Sequence, residues 1–183
     1  YAAWSEGVLN AQTSLVLLLN SDMLCTDYAI DELVEHKMAN RRSLPCGLLV
    51  ENGRIPSGMP EYVHDFGTNP ENFQRDAFLK HAETIRQSHT TEAGRLFQPV
   101  VFERQEYFDQ GGYPHGNIGG VSGDHILFDR YVKAGYEWVT CLGSVCCAGC
   151  IDTNARPVPV CRTGNTMTYC GTGGEVCDNC NDG

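Results

Sequence analysis

Short apolar runs alternate with segments of helical periodicity along the first 140 residues, and this alternation restricts the fold more than any other feature. Apolar runs bounded by polar residues are typical of buried strands. The predicted strands are 15–19, 46–50, 99–102 and 136–140, and the predicted helices are 1–12, 26–42, 70–87 and 124–134. Strands and helices in alternation predict an α/β domain with a mainly parallel sheet and flanking helices.

Local signals mark the ends of two predicted helices. Thr26 is placed to cap the helix that follows it, because a threonine oxygen accepts a hydrogen bond from a free backbone N–H. Gly135 is placed to end the last helix, where a positive φ is common. Between the third strand and this helix, residues 111–120 include five glycines, so the segment turns repeatedly or approaches another group closely.

The cysteines divide the chain into two parts of different composition. Eight of the ten lie in residues 141–183, whereas residues 1–140 hold all six histidines and all three lysines. This shift predicts a boundary near Thr140. We therefore expect an α/β domain over residues 1–140 and a small cysteine-rich tail over residues 141–183.

The tail contains two C-x-x-C pairs, a spacing that places two thiolates on one tetrahedral Zn²⁺. The pairs are Cys147 with Cys150, and Cys177 with Cys180. A disulfide framework is one alternative, since a cysteine-dense segment with few apolar residues is typical of a stapled small domain. A second alternative is a tail that stays without fixed structure, because so few large apolar side chains do not offset the entropy of ordering it.

Charge and hydropathy exclude two classes of function. A net charge of -10 argues against a broad phosphate-binding surface, and therefore against a nucleic-acid partner. No apolar run reaches the 18 or so residues that cross a bilayer, so no transmembrane segment is predicted. The chain begins at Tyr1 with no leader pattern, which predicts that it is a fragment of a longer product.

Two aspartates stand where chemistry is favoured. Asp22 follows the first predicted strand, and a carboxylate at the end of a strand in an open α/β sheet suits a hard cation. A capped turn over residues 20–22 is the alternative. Asp124 follows the glycine-rich segment at the start of a helix, where a carboxylate serves either as a base or as a helix cap.

Several motifs, in this order and spacing, resemble those of the family 2 glycosyltransferases, which have a nucleotide-diphospho-sugar transferase (GT-A-like) fold. They are Leu17-Leu18-Leu19-Asn20-Ser21-Asp22-Met23, Phe102-Glu103-Arg104, Gly111-Gly112-Tyr113 and Gly123-Asp124-His125-Ile126-Leu127-Phe128-Asp129-Arg130. The first is similar to the family's Asp-x-Asp-like metal motif, and the last to its Glu-Asp-x-Asp-Leu-x-x-Arg helix. The family's nucleotide-binding unit has no counterpart before Leu15. The resemblance therefore implies an incomplete nucleotide-sugar-transferase-type sheet.

The resemblance also implies residue roles. Asp124 would be the general base of an inverting reaction, and Asp22, with Asn20 beside it, would hold Mg²⁺ or Mn²⁺. The segment Gly111-Gly112-Tyr113 would bind the acceptor. Arg130 would pair with a carboxylate or phosphate, or lie on a solvated helix face.

The implied activity is that of a hexosyltransferase-like enzyme that moves a sugar from a nucleotide-diphosphate donor to a hydroxyl. The acceptor would be a carbohydrate or a lipid-linked molecule. Because such donors are cytosolic, the implied location is cytoplasmic, including the periphery of a membrane. The alternative function is a non-catalytic module that binds zinc or a protein partner through the cysteine-rich tail.

Overall fold

Five helices and six strands make up the regular structure of residues 1–53 and 59–148, the parts of the chain that the computed structural model describes. The helices are α1 (Ala2–Asn10), α2 (Ala29–Ala39), α3 (Arg75–Ile85), α4 (Arg104–Asp109) and α5 (Gly123–Lys133). The strands are β1 (Leu15–Leu18), β2 (Leu24–Cys25), β3 (Ser43–Glu51), β4 (Thr91–Ala93), β5 (Val100–Glu103) and β6 (Glu137–Ala148). A short 3₁₀ helix spans Pro60–Tyr62. None of these helices has the length and apolar character needed to cross a membrane.

The six strands form one sheet in the order β1-β5-β3-β6-β2, and β4 pairs with another part of β6. Within the described residues β3 and β6 are parallel, whereas the other strand pairs are antiparallel. The α/β class with flanking helices is confirmed, but the expectation of a mainly parallel sheet is wrong. Apolar runs identify buried strands without fixing their direction, because the same side chains bury equally well in either orientation.

Strand β6 changes its second neighbour part-way along its length. Gly47 of β3 pairs with Cys141 and the next residue, Leu48, pairs with Val145, so residues 142–144 bulge out of the pairing. Before the bulge β6 pairs with β4, and after it with β2. The strand runs on through the composition boundary predicted near Thr140. The division into a domain and a tail stays a prediction.

Helices α2 and α5 pack on opposite faces of the sheet. Leu33 of α2 packs with Val101 of β5, while the neighbouring Phe102 lies 6.4 Å, between ring centroids, from Tyr131 of α5. Successive residues of a strand point to opposite faces, so the sheet is covered by helix on both sides. All four side chains are fully buried. The packing of α5 on the sheet therefore positions Asp124, which lies in the first turn of that helix.

The predicted helix ends have different outcomes. The Thr26 hydroxyl donates to the Val145 carbonyl at 3.0 Å instead of capping α2, so that prediction is wrong. A threonine hydroxyl beside a sheet has an alternative to capping a helix, because it can donate to a strand carbonyl instead. Gly135 does end α5, with φ of 84°, and the Tyr136 N–H reaches back to the Tyr131 carbonyl at 3.0 Å. This pattern is a Schellman cap.

Candidate active site

The glycine pair predicted to lie on the acceptor side forms a tight turn after α4. Gly111 and Gly112 have φ of 77° and 60°, a region that glycine enters without steric cost. Arg130 of α5 donates to the Gly112 carbonyl at 2.9 Å, and the Tyr107 hydroxyl accepts the Tyr113 N–H at 3.0 Å. Arg130 therefore stabilises this turn. The two hydrogen bonds fix the direction in which the Tyr113 side chain leaves the backbone.

Asp124 lies in the first turn of α5. The helix cap is Ser122, whose hydroxyl accepts the His125 N–H at 3.4 Å and lies 2.7 Å from the His125 Nδ1 atom. Asp124 is therefore not needed as the cap, and its half-buried carboxylate is available for other contacts. The position at the positive end of the helix dipole stabilises its negative charge.

Three side chains hydrogen-bond to the Asp124 carboxylate. The Tyr113 hydroxyl and the Gln98 amide each donate to Oδ1 at 3.0 Å, and Gln98 also donates to the Tyr113 hydroxyl at 2.8 Å. The Tyr1 hydroxyl donates to Oδ2 at a longer 3.5 Å. The two carboxylate oxygens thus differ, because Oδ1 is firmly held and Oδ2 is loosely held. Sequence reasoning missed Gln98, which carries no local motif.

The Tyr113 ring is buried against two aromatic neighbours that also contact each other. Tyr1 stacks on it with centroids 4.9 Å apart and planes at 11°, and Trp4 contacts it at 4.8 Å. Burial, together with the negative charge of Asp124, raises the pKa of Tyr113 well above its ordinary value. The hydroxyl therefore keeps its proton and acts as a donor to Asp124. Both neighbours come from the first helical segment, whose contact with the site has no signal in the sequence.

Gly123 departs from the glutamate of the resembled helix pattern, and its surroundings explain why a small residue fits. A Cβ atom at Gly123 would lie 2.7 Å from the Tyr1 ring, closer than packed atoms allow. Gly123 is buried, so its lack of a side chain lets the Tyr1 ring reach Asp124. The glycine at position 123 is thus required by the packing of the Tyr1 ring over the site.

A hairpin stands beside the N-terminus of α5. Ile118 and Val121 exchange two backbone hydrogen bonds of 3.0 Å across the glycine pair at 119–120, and their side chains are 56% and 47% exposed. Asn117 joins the hairpin to the site, since its Oδ1 accepts the Gly123 N–H at 3.2 Å. The glycine-rich stretch thus folds into two separate turns, one on each side of Tyr113.

The turn after β1 contains the residues predicted to bind a metal. The Met23 N–H donates to the Asn20 carbonyl at 3.2 Å, and the side chains of Asn20 and Asp22 are both half-buried. Leu18, at the end of β1, pairs with Val100, at the start of β5. Gln98, the partner of Asp124, lies two residues before Val100. The turn and Asp124 are therefore at the same end of the sheet, where β1 ends and β5 begins.

The fit of a divalent cation to this turn depends on where its other ligands come from. The turn supplies one carboxylate and one amide oxygen, and residues 1–53 and 59–148 contain no group of three histidine, cysteine, aspartate or glutamate side chains that could hold a metal. Mg²⁺ commonly takes one or two carboxylates and fills its remaining positions with water and substrate phosphates. Asn20 and Asp22 fit that kind of ion.

The predicted zinc ligands fall mostly outside the described residues. Cys147 lies in β6 opposite Leu24 and is disulfide-bonded, so it is not a free thiolate for zinc, whereas the other three, Cys150, Cys177 and Cys180, lie outside the described ranges. Their role stays a prediction.

Four of the remaining cysteines, Cys25, Cys46, Cys141 and Cys146, lie in strands of the sheet. Cys146 forms a disulfide with Cys25, because the antiparallel pairing of β2 with β6 sets the two directly opposite each other. Cys141 is a buried free thiol, and burial raises its pKa to about 12. At neutral pH the Cys141 sulfur therefore stays protonated and unreactive.

Comparison with known proteins gives a limited result. No protein-family model and no curated protein sequence matches the chain. Among solved structures, the crystal structure of GalNAc-T7 with UDP, GalNAc and Mn²⁺ aligns with 82% of this chain at 16% identity and a TM-score of 0.49. The chain spans only 30% of the length of that protein.

Proposed function

We propose that the chain is a fragment of a nucleotide-sugar glycosyltransferase that resembles family 2 and works by an inverting, metal-assisted mechanism, and that it supplies the general base, the acceptor site and the metal-binding turn. The observation that carries this proposal is the Asp124 carboxylate, which is half-buried at a helix N-terminus with Oδ1 bound by Gln98 and Tyr113. The order of the sequence motifs supplies the reaction type. Donor, acceptor and metal are all part of the proposal.

Asp124 acts as the general base. As the acceptor oxygen attacks the anomeric carbon, its proton moves to Oδ2 of Asp124, the oxygen with the weaker hydrogen bond. The bond from the anomeric carbon to the diphosphate breaks on the opposite face of the sugar, and the nucleoside diphosphate leaves. The new glycosidic bond therefore has the inverted configuration.

The glycine turn positions the acceptor. Gly111 is exposed and has no side chain, so its backbone is open to close approach by a sugar. Tyr113 is 6% exposed, with Tyr1 stacked on its ring and Trp4 against it, so Tyr113 contributes through its hydroxyl on Asp124 and not by stacking on a sugar. This changes the role that the resemblance implies for Tyr113.

Asp22 and Asn20 would hold Mg²⁺ or Mn²⁺ together with the donor diphosphate. When bound, such an ion offsets the negative charge that builds on the leaving group. In this proposal the turn after β1 and Asp124 lie at the same end of the sheet. The turn faces the donor, and Asp124 faces the acceptor.

The test of the base is Asp124→Asn, assayed as release of nucleoside diphosphate from a panel of nucleotide sugars with Mn²⁺ and mixed glycoside acceptors. General-base catalysis contributes roughly 10²- to 10⁴-fold, so we expect a loss of that size. Asp129→Asn is the matched control, because Asp129 is exposed on the same helix and pairs only with Lys133 in the described residues. Equal turnover by the parent protein and Asp124→Asn would remove the base role. A longer protein containing this chain that transfers no sugar would favour the non-catalytic alternative.

The test of the metal ligand is calorimetric titration with a nucleoside diphosphate, with and without Mn²⁺. We expect Mn²⁺ to strengthen binding in the parent protein but not in Asp22→Asn. Asp31→Asn, on the exposed side of α2, is the control and should bind like the parent. Binding that is independent of Mn²⁺ in all three proteins would contradict this part of the proposal.

A further inference from the structure

We infer that Gln98 and Tyr113 are positioning residues that fix the Asp124 carboxylate with Oδ1 held in the protein and Oδ2 turned to the reactants. This inference rests on the proposed function for its catalytic meaning. The arrangement itself is a property of the folded chain and can be measured without turnover.

The three groups form a closed triangle of hydrogen bonds. The Gln98 amide has two protons, and the structure uses one toward the Tyr113 hydroxyl at 2.8 Å and one toward Asp124 Oδ1 at 3.0 Å. The Tyr113 hydroxyl passes its own proton to the same Oδ1 at 3.0 Å. Each donor is used once, so the carboxylate has little freedom to rotate about its last bond.

The two donors are themselves held in place. Gln98 is 6% exposed, and the Pro99 carbonyl next to it accepts the Gly47 N–H of the central strand β3 at 2.8 Å. Tyr113 is also 6% exposed, and the buried Tyr107 hydroxyl accepts its backbone N–H at 3.0 Å. Asp124 is thus positioned by the sheet on one side and by the glycine turn on the other. Prepositioning of this kind is what a reacting group requires.

The partners of Asp124 are neutral, which suits a base. Tyr1, Tyr113 and Gln98 donate hydrogen bonds to the carboxylate, and the adjacent His125 imidazole is engaged with the Ser122 hydroxyl. No ion pair to Asp124 is formed within the described residues. Neutral donors favour the ionised form, whereas an adjacent cation would make the carboxylate a much weaker proton acceptor.

The experiment follows the Asp124 carboxyl by ¹³C NMR in the full chain labelled at aspartate, with Asp124→Asn to identify its signal. Tyr113→Phe and Gln98→Met each remove donors while nearly keeping side-chain shape. We expect each to change the chemical shift of the Asp124 carboxyl carbon at neutral pH, because the carboxylate loses a hydrogen-bond donor to Oδ1. Tyr131→Phe is the matched control, because the Tyr131 hydroxyl is buried without a hydrogen-bond partner among the described residues.

The outcomes separate the inference from the proposed function. An Asp124 carboxyl signal in Tyr113→Phe and Gln98→Met that stays where it is in Tyr131→Phe overturns the positioning role, even if Asp124→Asn abolishes transfer. A shift in both variants supports it, even if Asp124→Asn leaves transfer unchanged and the base role fails. In the active enzyme we expect both variants to lower kcat with little change in the KM for the donor, which a general loss of structure would not produce.

Discussion

Replacing Lys37 by methionine tests the buried ion pair that joins α2 to α4. The Lys37 side chain is fully buried, and its Nζ donates to the carbonyls of Arg41 and Ser43 at 2.8 Å each and to Glu106 Oε2 at 2.8 Å. All three ammonium protons are therefore used. Methionine retains the length and apolar packing of the lysine stem but supplies none of these bonds.

The magnitude follows from what the substitution leaves behind. Glu106 would keep its charge at 13% side-chain exposure without a cation, and removal of one partner from a buried pair costs about 3–5 kcal/mol. The Glu103 N–H still donates to the Glu106 carboxylate, at 3.2 Å, so we place the loss at the lower end, about 3 kcal/mol. The double variant Lys37→Met with Glu106→Gln removes the unpaired charge. We expect it to be more stable than Lys37→Met alone.

The assay is urea unfolding of the parent, the two single variants and the double variant, which gives the coupling energy. Arg41→Gln is the control, because Arg41 is exposed and Glu103 only half-buried, so their pair should contribute below about 1 kcal/mol. The reasoning is refuted if Lys37→Met loses no more stability than Arg41→Gln. It is also refuted if the effects of the two single substitutions simply add.

Two further predictions concern pH and backbone strain. Desolvation opposes the charge of Glu32, but hydrogen bonds led by that from Arg86 hold its pKa below the ordinary value. The stability that Glu32 contributes is therefore present above about pH 4.3 and is lost as the pH falls. In urea unfolding across pH 3–6, the stability of Glu32→Gln should therefore fall less steeply toward acid pH than that of the unsubstituted chain. Gly112→Ala should cost about 1–3 kcal/mol, because φ is 60° and the new Cβ would lie 2.9 Å from the Tyr107 ring. Gly119→Ala, with the same φ and open space, should cost only the backbone strain; equal losses in thermal or urea unfolding would contradict the packing argument.

Local sequence signals predicted the elements whose structure is itself local. Helix α5 is an example, since Gly135 ends it and its buried face, which includes Leu127 and Tyr131, follows helical spacing. Strands β2 and β4 were missed because two or three residues carry no periodicity and gain their partners only from β6, which is distant in sequence. The predicted strand direction was wrong for a similar reason, since the direction of a strand depends on how the connecting segments lead the chain from one strand to the next.

The candidate site shows the same division between local and non-local information. Asp124 was found because it belongs to a motif of contiguous residues, but its partners come from three separate places in the chain. Gln98 precedes β5, Tyr113 follows the glycine turn, and Tyr1 precedes α1. Nothing in the sequence around Gln98 marks it, because its role exists only after β5 has paired with β1 and β3. A site built from residues that are far apart in the sequence can therefore be predicted only in part before the structure is known.

The spacing between Asp124 and Arg130 has a physical explanation in this arrangement. The two residues are six positions apart on α5, which separates them by about 9 Å along the helix axis. Asp124 reaches the Tyr113 hydroxyl, and Arg130 reaches the carbonyl of Gly112, the residue just before Tyr113. One rigid helix thus holds both the carboxylate and the turn that supplies its donor. A shift of the turn relative to α5 would break both contacts together, so the distance from base to donor is set by the helix and not by a loop.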